Sequence, residues 1–418
     1  MAVAKTEQKP AHFMIAAGGT GGHMFPAHAL AQELERRGAR VDLITDERGH
    51  RYGSTFPASQ IYEVPAASIS LRPTPRNIIG IFKIISGTLK TQRVLHQAQP
   101  IVLIGFGGYP TLPPLAGSLL QGMPSLLHEQ NAVMGRVNKL FARFATAIAT
   151  GFPKLKGVSE RVEAKITFVG NPVRDEVRAL ANSPYDPPEG DGVFNLLVFG
   201  GSQGARVFSD VVPGAIADLP GSVRKNMKVV QQCRVEDMEQ VREIYAQAGV
   251  NAEIAPFFNR LPQRMSEAHL VIGRAGASTV SELAVIGRPA ILVPLPGSLD
   301  GDQLYNARYF VDTGGGWLLD QRDLTVERLS ALLMRLRYST QELKAAAAGA
   351  ASIGKPDAVL ALADLAEDLA RKLQDDEANT RERNEAAWPA IEAAKQKPKS
   401  DTNIKAEKQD ARDLRRNT

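Results

Sequence analysis

The chain has 418 residues, a formal charge of +5, and 44% hydrophobic and 23% charged residues. This length exceeds the usual size of one domain, and the composition is that of a soluble globular protein, so we expect two domains with separate cores. The single cysteine, Cys233, excludes an internal disulfide and a cysteine-based zinc site, and it predicts a reducing, cytoplasmic compartment. The mild positive charge fits an anionic ligand or membrane surface, and equally a solvated basic surface.

After a loose leader over residues 1–11, "HFMIAAGGTGGHMFPAHALAQELERRG" predicts a strand over Phe13–Ala17, a glycine loop, and a helix over Ala27–Arg37. Glycines let the backbone approach a ligand closely, and the N–H groups of the loop and helix start favour an anion such as phosphate. A dinucleotide fingerprint does not fit, because Met24 stands where its third glycine belongs. A P-loop does not fit either, because the Gly-Lys-Ser/Thr sequence is absent.

Strand-like runs then alternate with helical patterns, which predicts βαβ units and parallel sheets. The runs are "VDLIT", "IVLIGFG", "PSLLHEQ", "TAIATG" and "ITFVGNP" in the first half and "MKVVQQC", "NAEIAPF", "LVIGRAG" and "PAILVPL" in the second. A proline- and glycine-rich break, "NSPYDPPEGDGV", precedes a second strand, glycine loop and helix in "FNLLVFGGSQGARVFSDVV". We therefore predict an α/β fold of two doubly wound domains that face each other, over residues 12–182 and 183–374. The last helix of the second domain is expected to pack back on the first. The highly charged residues 375–418 are expected to be disordered or loosely helical.

Six motifs occur in order along the chain: "GGTGGHMFPA", "GFGGYPTLPP", "HEQNAVMGRVNKL", "GNPVR", "FGGSQGAR", and "RAGASTVSELAVIGRPAILVPLP" with "DGDQLYNA". Together they resemble the MurG family of bacterial glycosyltransferases, from about His12 to about Leu369. The resemblance implies the GT-B fold, two Rossmann-like domains with a cleft between them. It also implies inverting transfer of N-acetylglucosamine from UDP-N-acetylglucosamine to the C4 hydroxyl of undecaprenyl-diphosphoryl-N-acetylmuramyl-pentapeptide (lipid I), which gives lipid II in peptidoglycan synthesis.

A single inversion needs one base to take the hydroxyl proton and a means of stabilising the departing UDP. His23, at the end of the first glycine loop, is the first candidate because an imidazole titrates near neutrality. Its alternative role is a helix-start hydrogen bond that orients the loop. Glu129 in "HEQN" is the second candidate, and His128 beside it is equally compatible with a buried structural role.

Donor binding is expected at "STVSELAVIG", where Ser278 and Thr279 can hold the diphosphate and Glu282 can accept the ribose hydroxyls. The alternative is a capping box formed by Thr279 and Glu282. The resemblance implies a backbone contact from Phe258 to the uracil. It places further donor contacts at Thr20, Gly21, Gly22, Asn131, Arg174, Ser202, Ala277, Val280, Ser281 and Gln303. It places acceptor contacts at Gly19, Gly107, Gly108 and Tyr109.

The segment "LRPTPRNIIGIFKIISGTLKTQR" combines apolar and basic residues and predicts a helix that lies on an anionic membrane surface. The residues expected to contact lipid are Ile78, Ile79, Phe82, Lys83 and Ile85. A core-facing helix is the alternative. With the lipid-linked acceptor, this pattern implies a peripheral protein on the cytoplasmic face of the inner membrane.

The "DGD" at Asp300–Asp302 resembles a metal motif of another glycosyltransferase architecture, but the family resemblance implies no metal site and no required cofactor, with stimulation by a divalent cation left open. Two alternative functions stay open. One is a GT-B UDP-sugar transferase with a different lipid acceptor, such as diacylglycerol. The other is a non-catalytic UDP-sugar-binding scaffold that anchors other cell-wall enzymes through its tail. Nucleic-acid binding is not expected, because no basic aromatic stripe appears.

Overall fold

Two parallel β-sheets, one in each half of residues 1–367, organise the chain. The computed structural model describes residues 10–19, 21–49, 56–68, 75–181, 183–201 and 204–396. Residues 1–367 form one unit and residues 368–418 form a second. Both sheets lie in the first unit, which therefore contains both predicted doubly wound domains.

The first sheet has seven strands in the order β3-β2-β1-β4-β5-β6-β7, all parallel. Strand β1 (His12–Ala16) lies in the interior of the sheet and is wholly buried, and its Phe13 pairs with Val41 on one side and Val102 on the other. Such apolar runs are typical of strands that helices cover on both faces. The strands are β1 (His12–Ala16), β2 (Arg40–Thr45), β3 (Gln60–Glu63), β4 (Val102–Gly105), β5 (Ser125–Glu129), β6 (Ala147–Thr150) and β7 (Ile166–Phe168).

The helix after the first glycine loop, α1 (Gly21–Arg36), begins six residues before the predicted start at Ala27. Pro26, which directly precedes the predicted start and has no N–H group to donate, lies buried inside the helix. His23 therefore lies in the first turn of α1. The other helices of this half are α2 (Pro75–Ala98), α3 (Leu112–Leu120), α4 (Arg136–Phe141), α5 (Glu160–Glu163) and α6 (Asp175–Arg178).

The second sheet has six parallel strands in the order β10-β9-β8-β11-β12-β13. Its strands are β8 (Phe194–Phe199), β9 (Met227–Gln232), β10 (Asn251–Ala255), β11 (Leu270–Gly273), β12 (Ala290–Leu292) and β13 (Gly316–Leu318). Its helices are α7 (Arg206–Ala217), α8 (Gly221–Lys225), α9 (Met238–Gln247), α10 (Leu261–Glu267), α11 (Ala277–Ile286), α12 (Asp302–Asp312), α13 (Val326–Arg337) and α14 (Thr340–Ser352). Strand order reverses between β1 and β4 and between β8 and β11, and ligands bind at the carboxyl ends of strands at such points.

The last helix, α15 (Ala358–Gln396), begins in the first unit. There it meets α1, because Arg37 donates hydrogen bonds to Asp364 at 2.6 Å and Glu367 at 2.8 Å. Residues 375–396, expected as a disordered or loosely helical tail, are helical in the structure. The frequent Ala, Glu, Lys and Arg residues there have high helix propensity, and this outweighs the lack of large apolar side chains. Residues 397–418 lie outside the described part of the chain.

Candidate active site

A cavity of about 340 Å³ opens between the carboxyl ends of the two sheets and is lined by residues of both domains. The following predicted site residues line it: Gly21, Gly22, His23, Asn131, Arg174, Phe258, Ala277, Ser278, Thr279 and Glu282. Ten lining residues had not been selected from the sequence: Phe25, Gln130, Phe199, Gly201, Gln232, Phe257, Asn259, Leu261, Gly276 and Asp302. Two predicted donor contacts, Thr20 and Ser202, lie outside the described residues.

His23 enters the cavity from the first turn of α1 with one ring nitrogen held by the protein. Its Nδ1 lies 2.9 Å from the Phe106 carbonyl oxygen and 3.1 Å from Gln130 Oε1. A backbone carbonyl can only accept, so Nδ1 carries the hydrogen and, in the neutral ring, Nε2 carries the lone pair. A Cβ on Gly108 would lie 3.1 Å from Nε2, so the glycine at this position leaves room beside that nitrogen. Among the described residues Nε2 has no hydrogen-bond partner.

Glu129, the second candidate for the base, is buried and organises its own loop. Its Oε1 accepts from the backbone N–H of Asn131 at 3.0 Å, and its Oε2 accepts from Gly135 N–H at 2.9 Å and Asn138 Nδ2 at 2.8 Å. Burial raises the pKa of this carboxyl group, and the three hydrogen bonds oppose that shift. Both oxygens accept hydrogen bonds and Glu129 does not line the cavity, so this geometry fits a loop-positioning role.

His128 is fully buried behind the cavity. Its Nε2 lies 3.2 Å from the Gly170 carbonyl oxygen and its Nδ1 lies 3.0 Å from Gln130 Nε2. Burial lowers the pKa of His128 to about 4, the hydrogen bond to Gly170 raises it, and the nearby His23 lowers it further. His128 is therefore a neutral, hydrogen-bonded core residue near pH 7.

Helix α11 presents its amino end to the cavity. Its N-cap is Gly276, and no side chain of the described residues accepts a hydrogen bond from the first turn, so the N–H groups there can bind a ligand. Thr279 lies inside the helix, so the capping-box alternative for Thr279 and Glu282 is wrong. The N–H groups and the helix dipole make this end a site for an anion such as a diphosphate.

Glu282 lies one turn into α11, is buried, and accepts a hydrogen bond from Arg174 at 3.2 Å. Burial raises the pKa of Glu282, and the charge and hydrogen bond of Arg174 lower it. The Arg174 guanidinium also lies over the Phe25 ring, 4.9 Å from its centroid. Arg174 thus links α1 of the first domain with α11 of the second, and a carboxylate with its remaining lone pairs faces the cavity.

The second glycine loop is held by Gln232, at the carboxyl end of β9. Gln232 accepts from Gly200 N–H at 3.0 Å and donates to the carbonyl oxygens of Gly201 at 3.0 Å and Pro256 at 3.2 Å. It thereby ties the loop after β8 to the loop after β10, where Phe258 lines the cavity. A polar residue at the end of a buried strand, as in "MKVVQQC", is the sequence signal that could have identified Gln232.

Three predicted donor residues do not line the cavity. Val280 and Ser281 face a smaller cavity beside Asn171, and Ser281 Oγ accepts from Asn171 Nδ2 at 3.0 Å. Gln303 Oε1 accepts from the Leu295 N–H at 3.0 Å, so this side chain shapes the loop after β12. Ser281 and Gln303 thus make contacts that hold the surrounding segments in place.

The predicted acceptor residues meet at the first glycine loop. Asp46, at the end of β2, accepts from Gly19 N–H at 3.3 Å and from the Tyr109 hydroxyl at 2.7 Å. Burial and the neighbouring Asp46 raise the pKa of Tyr109 to about 12. Gly107 and Gly108, both with positive φ, bring the loop after β4 close to His23. Asp46 had not been selected from the sequence, although it directly follows the predicted strand "VDLIT".

Helix α2 carries large apolar side chains in solvent. Phe82 is 69% exposed and Ile79 is 60% exposed, and the other exposed apolar residues of this helix are Ile78, Ile81, Ile85 and Leu89. Lys83 is exposed among them. The core-facing alternative therefore does not hold for these residues, whereas the opposite face of α2 is buried at Thr88 and Thr91. No helix of the described residues is long and apolar enough to cross a membrane.

The "DGD" segment makes contacts within the protein. Asp300 pairs with Arg136 at 3.2 Å, and Asp302 Oδ1 accepts from Gln303 N–H at 2.7 Å. Within the described parts of the chain, no group of three or more His, Cys, Asp or Glu residues is placed to hold a metal ion.

Comparison with known proteins matches two family models to consecutive parts of the chain. The glycosyltransferase family 28 N-terminal domain model matches residues 13–150, and its C-terminal counterpart matches residues 195–365. A UDP-N-acetylglucosamine–N-acetylmuramyl-(pentapeptide) pyrophosphoryl-undecaprenol N-acetylglucosamine transferase of Methylobacterium nodulans is 51% identical over 84% of this chain and 95% of its own. The protein of the same name from a Chelativorans species is 48% identical over 85% of this chain and 95% of its own.

Solved structures agree with these matches. The crystal structure of Acinetobacter baumannii MurG is 31% identical, covers 85% of this chain and 99% of its own, and superposes with a TM-score of 0.69. A glycosyltransferase of kitacinnamycin, 17% identical over 87% of this chain and all of its own, has a TM-score of 0.62 and shares the fold. The two Rossmann-like domains thus form the GT-B arrangement, and the chain belongs to the MurG family of glycosyltransferases.

Proposed function

We propose that the protein transfers N-acetylglucosamine from UDP-N-acetylglucosamine to the C4 hydroxyl of lipid I, with inversion at the anomeric carbon, to give lipid II. The observation that carries this proposal is the cavity in which His23 Nε2, on the first domain, shares one space with the amino end of α11, on the second. The names of the relatives that are 48 to 51% identical state the same donor and acceptor.

The donor binds on the second domain. Its diphosphate lies against the N–H groups of Ala277, Ser278 and Thr279, where the helix dipole favours negative charge. Glu282, whose pKa Arg174 lowers against the larger effect of burial, accepts hydrogen bonds from the ribose hydroxyls. The uracil lies beside the backbone of Phe258, which Gln232 positions through the loop after β10.

The acceptor hydroxyl attacks from the side of the first domain. The C4 oxygen of the muramyl sugar forms the new bond to the anomeric carbon while the bond from that carbon to the UDP oxygen breaks. The hydroxyl proton passes to Nε2 of His23, and UDP leaves with the electron pair of the broken bond. Because Nδ1 already donates to the Phe106 carbonyl, Nε2 is the nitrogen able to accept that proton.

We further propose that the reaction needs no resident metal ion or cofactor. The charge that develops on the departing diphosphate is stabilised by the N–H groups of α11, which are in place before the reaction begins. Turnover should therefore persist in a chelator such as EDTA, and a divalent cation should stimulate it severalfold at most. Loss of all activity in EDTA with recovery in Mg²⁺ would contradict this part of the proposal.

The protein acts at the cytoplasmic face of the inner membrane, as a peripheral protein. The exposed apolar residues of α2 lie in the lipid interface, where Lys83 meets anionic headgroups. This places the acceptor loops near lipid I while the cavity stays open to the water-soluble nucleotide sugar.

Transfer of labelled N-acetylglucosamine to a short-chain lipid I analogue tests the reaction. We compare the wild type with His23→Ala and, as a matched control, with His96→Ala, which removes an exposed histidine of α2. We expect wild-type turnover, a fall of about several hundredfold in kcat for His23→Ala with donor binding retained, and little change in the control.

The outcomes separate the parts of the proposal. No wild-type transfer to lipid I, with transfer to diacylglycerol instead, would replace the acceptor. Donor binding without transfer to either lipid would favour a scaffold. Wild-type transfer with a change of less than about threefold in His23→Ala would keep the reaction and remove His23 as the base.

A further inference from the structure

A chain of hydrogen bonds runs from the cavity into the core behind His23. His23 Nδ1 lies 3.1 Å from Gln130 Oε1, and Gln130 Nε2 lies 3.0 Å from His128 Nδ1. His128 Nε2 lies 3.2 Å from the Gly170 carbonyl oxygen. Gln130 and His128 are both buried, with exposed fractions of 3% and 0%. The cavity histidine is thus joined to a buried histidine through one glutamine amide.

Three backbone carbonyls fix the position of each proton in this chain. Since a carbonyl oxygen only accepts, the Phe106 carbonyl requires a hydrogen on His23 Nδ1, 2.9 Å away. The His128 carbonyl, 3.1 Å from Gln130 Nε2, identifies that atom as the amide nitrogen. The Gly170 carbonyl requires a hydrogen on His128 Nε2, which leaves His128 Nδ1 as an acceptor for Gln130. Each donor therefore meets an acceptor. If each ring carried its hydrogen on the other nitrogen and the amide were rotated by 180°, ring nitrogens and the amide oxygen would face carbonyl oxygens, which also only accept.

We propose that Gln130, oriented by His128, is a positioning residue that holds His23 with its proton on Nδ1 and its lone pair on Nε2 toward the acceptor hydroxyl. This inference rests on the proposed function, in which His23 is the base. Gln130 acts on the reaction through His23. Its amide oxygen stabilises most strongly the protonated His23, which forms when the proton is transferred. At that point the imidazolium donates from Nδ1 to two oxygens, those of Phe106 and Gln130.

The charges around His23 fit this role. Among the described groups with a shifted pKa, His128 and Glu129 are the ones that the charge of His23 affects. Burial keeps His128 neutral near pH 7, so the hydrogen-bonded row of His23, Gln130 and His128 has no second positive charge that would repel the imidazolium. Glu129 is turned into its own loop and accepts from backbone N–H groups there. Among the side chains described, Gln130 is therefore the one whose oxygen contacts Nδ1 directly.

The backbone of Gln130 is also held from both domains. Asn171 Nδ2 donates to the Gln130 carbonyl at 2.9 Å and to Ser281 Oγ of α11 at 3.0 Å. Two residues further on, Ala132 N–H donates to Asn306 Oδ1 of α12 at 2.9 Å. With the main chain fixed on both sides, the amide of Gln130 has a defined position relative to His23.

Two substitutions of Gln130 test this assignment because they shift the protonation of His23 in opposite directions. Gln130→Leu removes the oxygen, which disfavours the imidazolium, so the acid limb of the kcat/KM profile moves to lower pH. Gln130→Glu puts a negative charge beside Nδ1, which favours the imidazolium, so the acid limb moves to higher pH. We expect kcat of Gln130→Leu to fall about tenfold at neutral pH, with the KM for the donor nearly unchanged.

Gln247→Leu, at an exposed residue of α9, serves as the matched control and should leave the profile unmoved. Nitrogen-15 NMR of histidine-labelled protein gives a readout independent of turnover. It should show Nδ1–H and an unprotonated Nε2 for His23 in the wild type, with the signal identified by its loss in His23→Ala. Retained folding of both Gln130 variants is checked by thermal melting.

Opposite displacements of the acid limb together with the Nδ1–H form would support the proposal. An Nε2–H form in the wild type would overturn it, as would an acid limb that stays in place in both folded Gln130 variants. Absence of wild-type transfer to lipid I would overturn the proposed function and with it the catalytic role of Gln130. The NMR result would then show separately whether the hydrogen-bond assignment is correct.

Discussion

The buried histidine behind the cavity predicts a specific loss of stability in acid. His128 has its pKa lowered from 6.5 to about 4 in the folded protein, mainly by burial. Between these values the unfolded chain binds a proton there that the folded chain does not, so the free energy of unfolding decreases as the pH falls. The loss begins near pH 6.5, is complete near pH 4, and stays constant below, where both states bind the proton.

The magnitude follows from the interval between the two values. At about 1.4 kcal/mol for each pH unit, an interval from 6.5 to about 4 corresponds to about 3 kcal/mol. That is a large part of the about 5 to 15 kcal/mol by which proteins are usually stable. The hydrogen bond that His128 donates to Gly170 persists in both protonation states and so does not remove the effect.

Urea unfolding followed by circular dichroism between pH 7 and pH 4 measures this loss. His128→Gln cannot titrate, so its free energy of unfolding should fall by about 3 kcal/mol less over that range than the wild-type value. Other acid-sensitive groups contribute equally to both proteins and cancel in the comparison. His96→Gln, which removes an exposed histidine, should keep the wild-type pH dependence. Equal pH dependence of the wild type and His128→Gln would refute the reasoning.

Three further predictions concern other parts of the molecule. Arg288→Leu should lower the free energy of unfolding, measured by urea unfolding, by about 3 kcal/mol, because this buried guanidinium donates to five backbone carbonyls. Arg322→Leu, at an exposed arginine, should change it little. Gly151→Ala should lower the free energy of unfolding by about 1 to 3 kcal/mol in the same assay, because the new Cβ would lie 2.2 Å from the buried amide oxygen of Asn171. Gly221→Ala should change it little, and equal losses in the two variants would contradict this reasoning. Phe82→Ser should weaken sedimentation with anionic vesicles about tenfold without lowering the melting temperature, and undiminished sedimentation would argue against lipid contact by α2.

The sequence predicts the strands well where they are buried on both faces. The run around Phe13 is apolar throughout and appears as a central strand, β1. Two edge strands were missed, β3 (Gln60–Glu63) and β13 (Gly316–Leu318), because each is short and partly exposed and begins or ends with residues of low strand propensity. Each of these strands is held by hydrogen bonds to its neighbour, β2 for β3 and β12 for β13. That stabilisation depends on residues distant in sequence, so the local pattern does not reveal it.

The sequence identifies candidate site residues by their chemical type, but it does not show how their side chains are oriented. The sequence "STVSE" fits a capping box as well as a ligand site, and only the observed start of α11 at Ala277 separates the two. In the same way, His23 could be selected from its position after the glycine loop, whereas its partners lie 83 and 107 residues further along the chain, at Phe106 and Gln130. Those contacts decide which nitrogen is free, and they depend on how β1, β4 and β5 are ordered in the sheet.

The loop of residues 129–132 belongs to the first domain by sequence and to both domains by hydrogen bonding. Its side chains reach His23 through Gln130, while its backbone accepts from Asn171 and donates to Asn306 of α12. Asn171 in turn donates to Ser281 of α11, the helix whose amino end is the proposed diphosphate site. The proposed proton acceptor and the proposed leaving-group site are therefore linked by short polar contacts of one loop. In the proposed reaction the base lies on one domain and the donor on the other, so contacts that set their separation favour a reactive geometry, and the buried polar side chains of this loop supply such contacts.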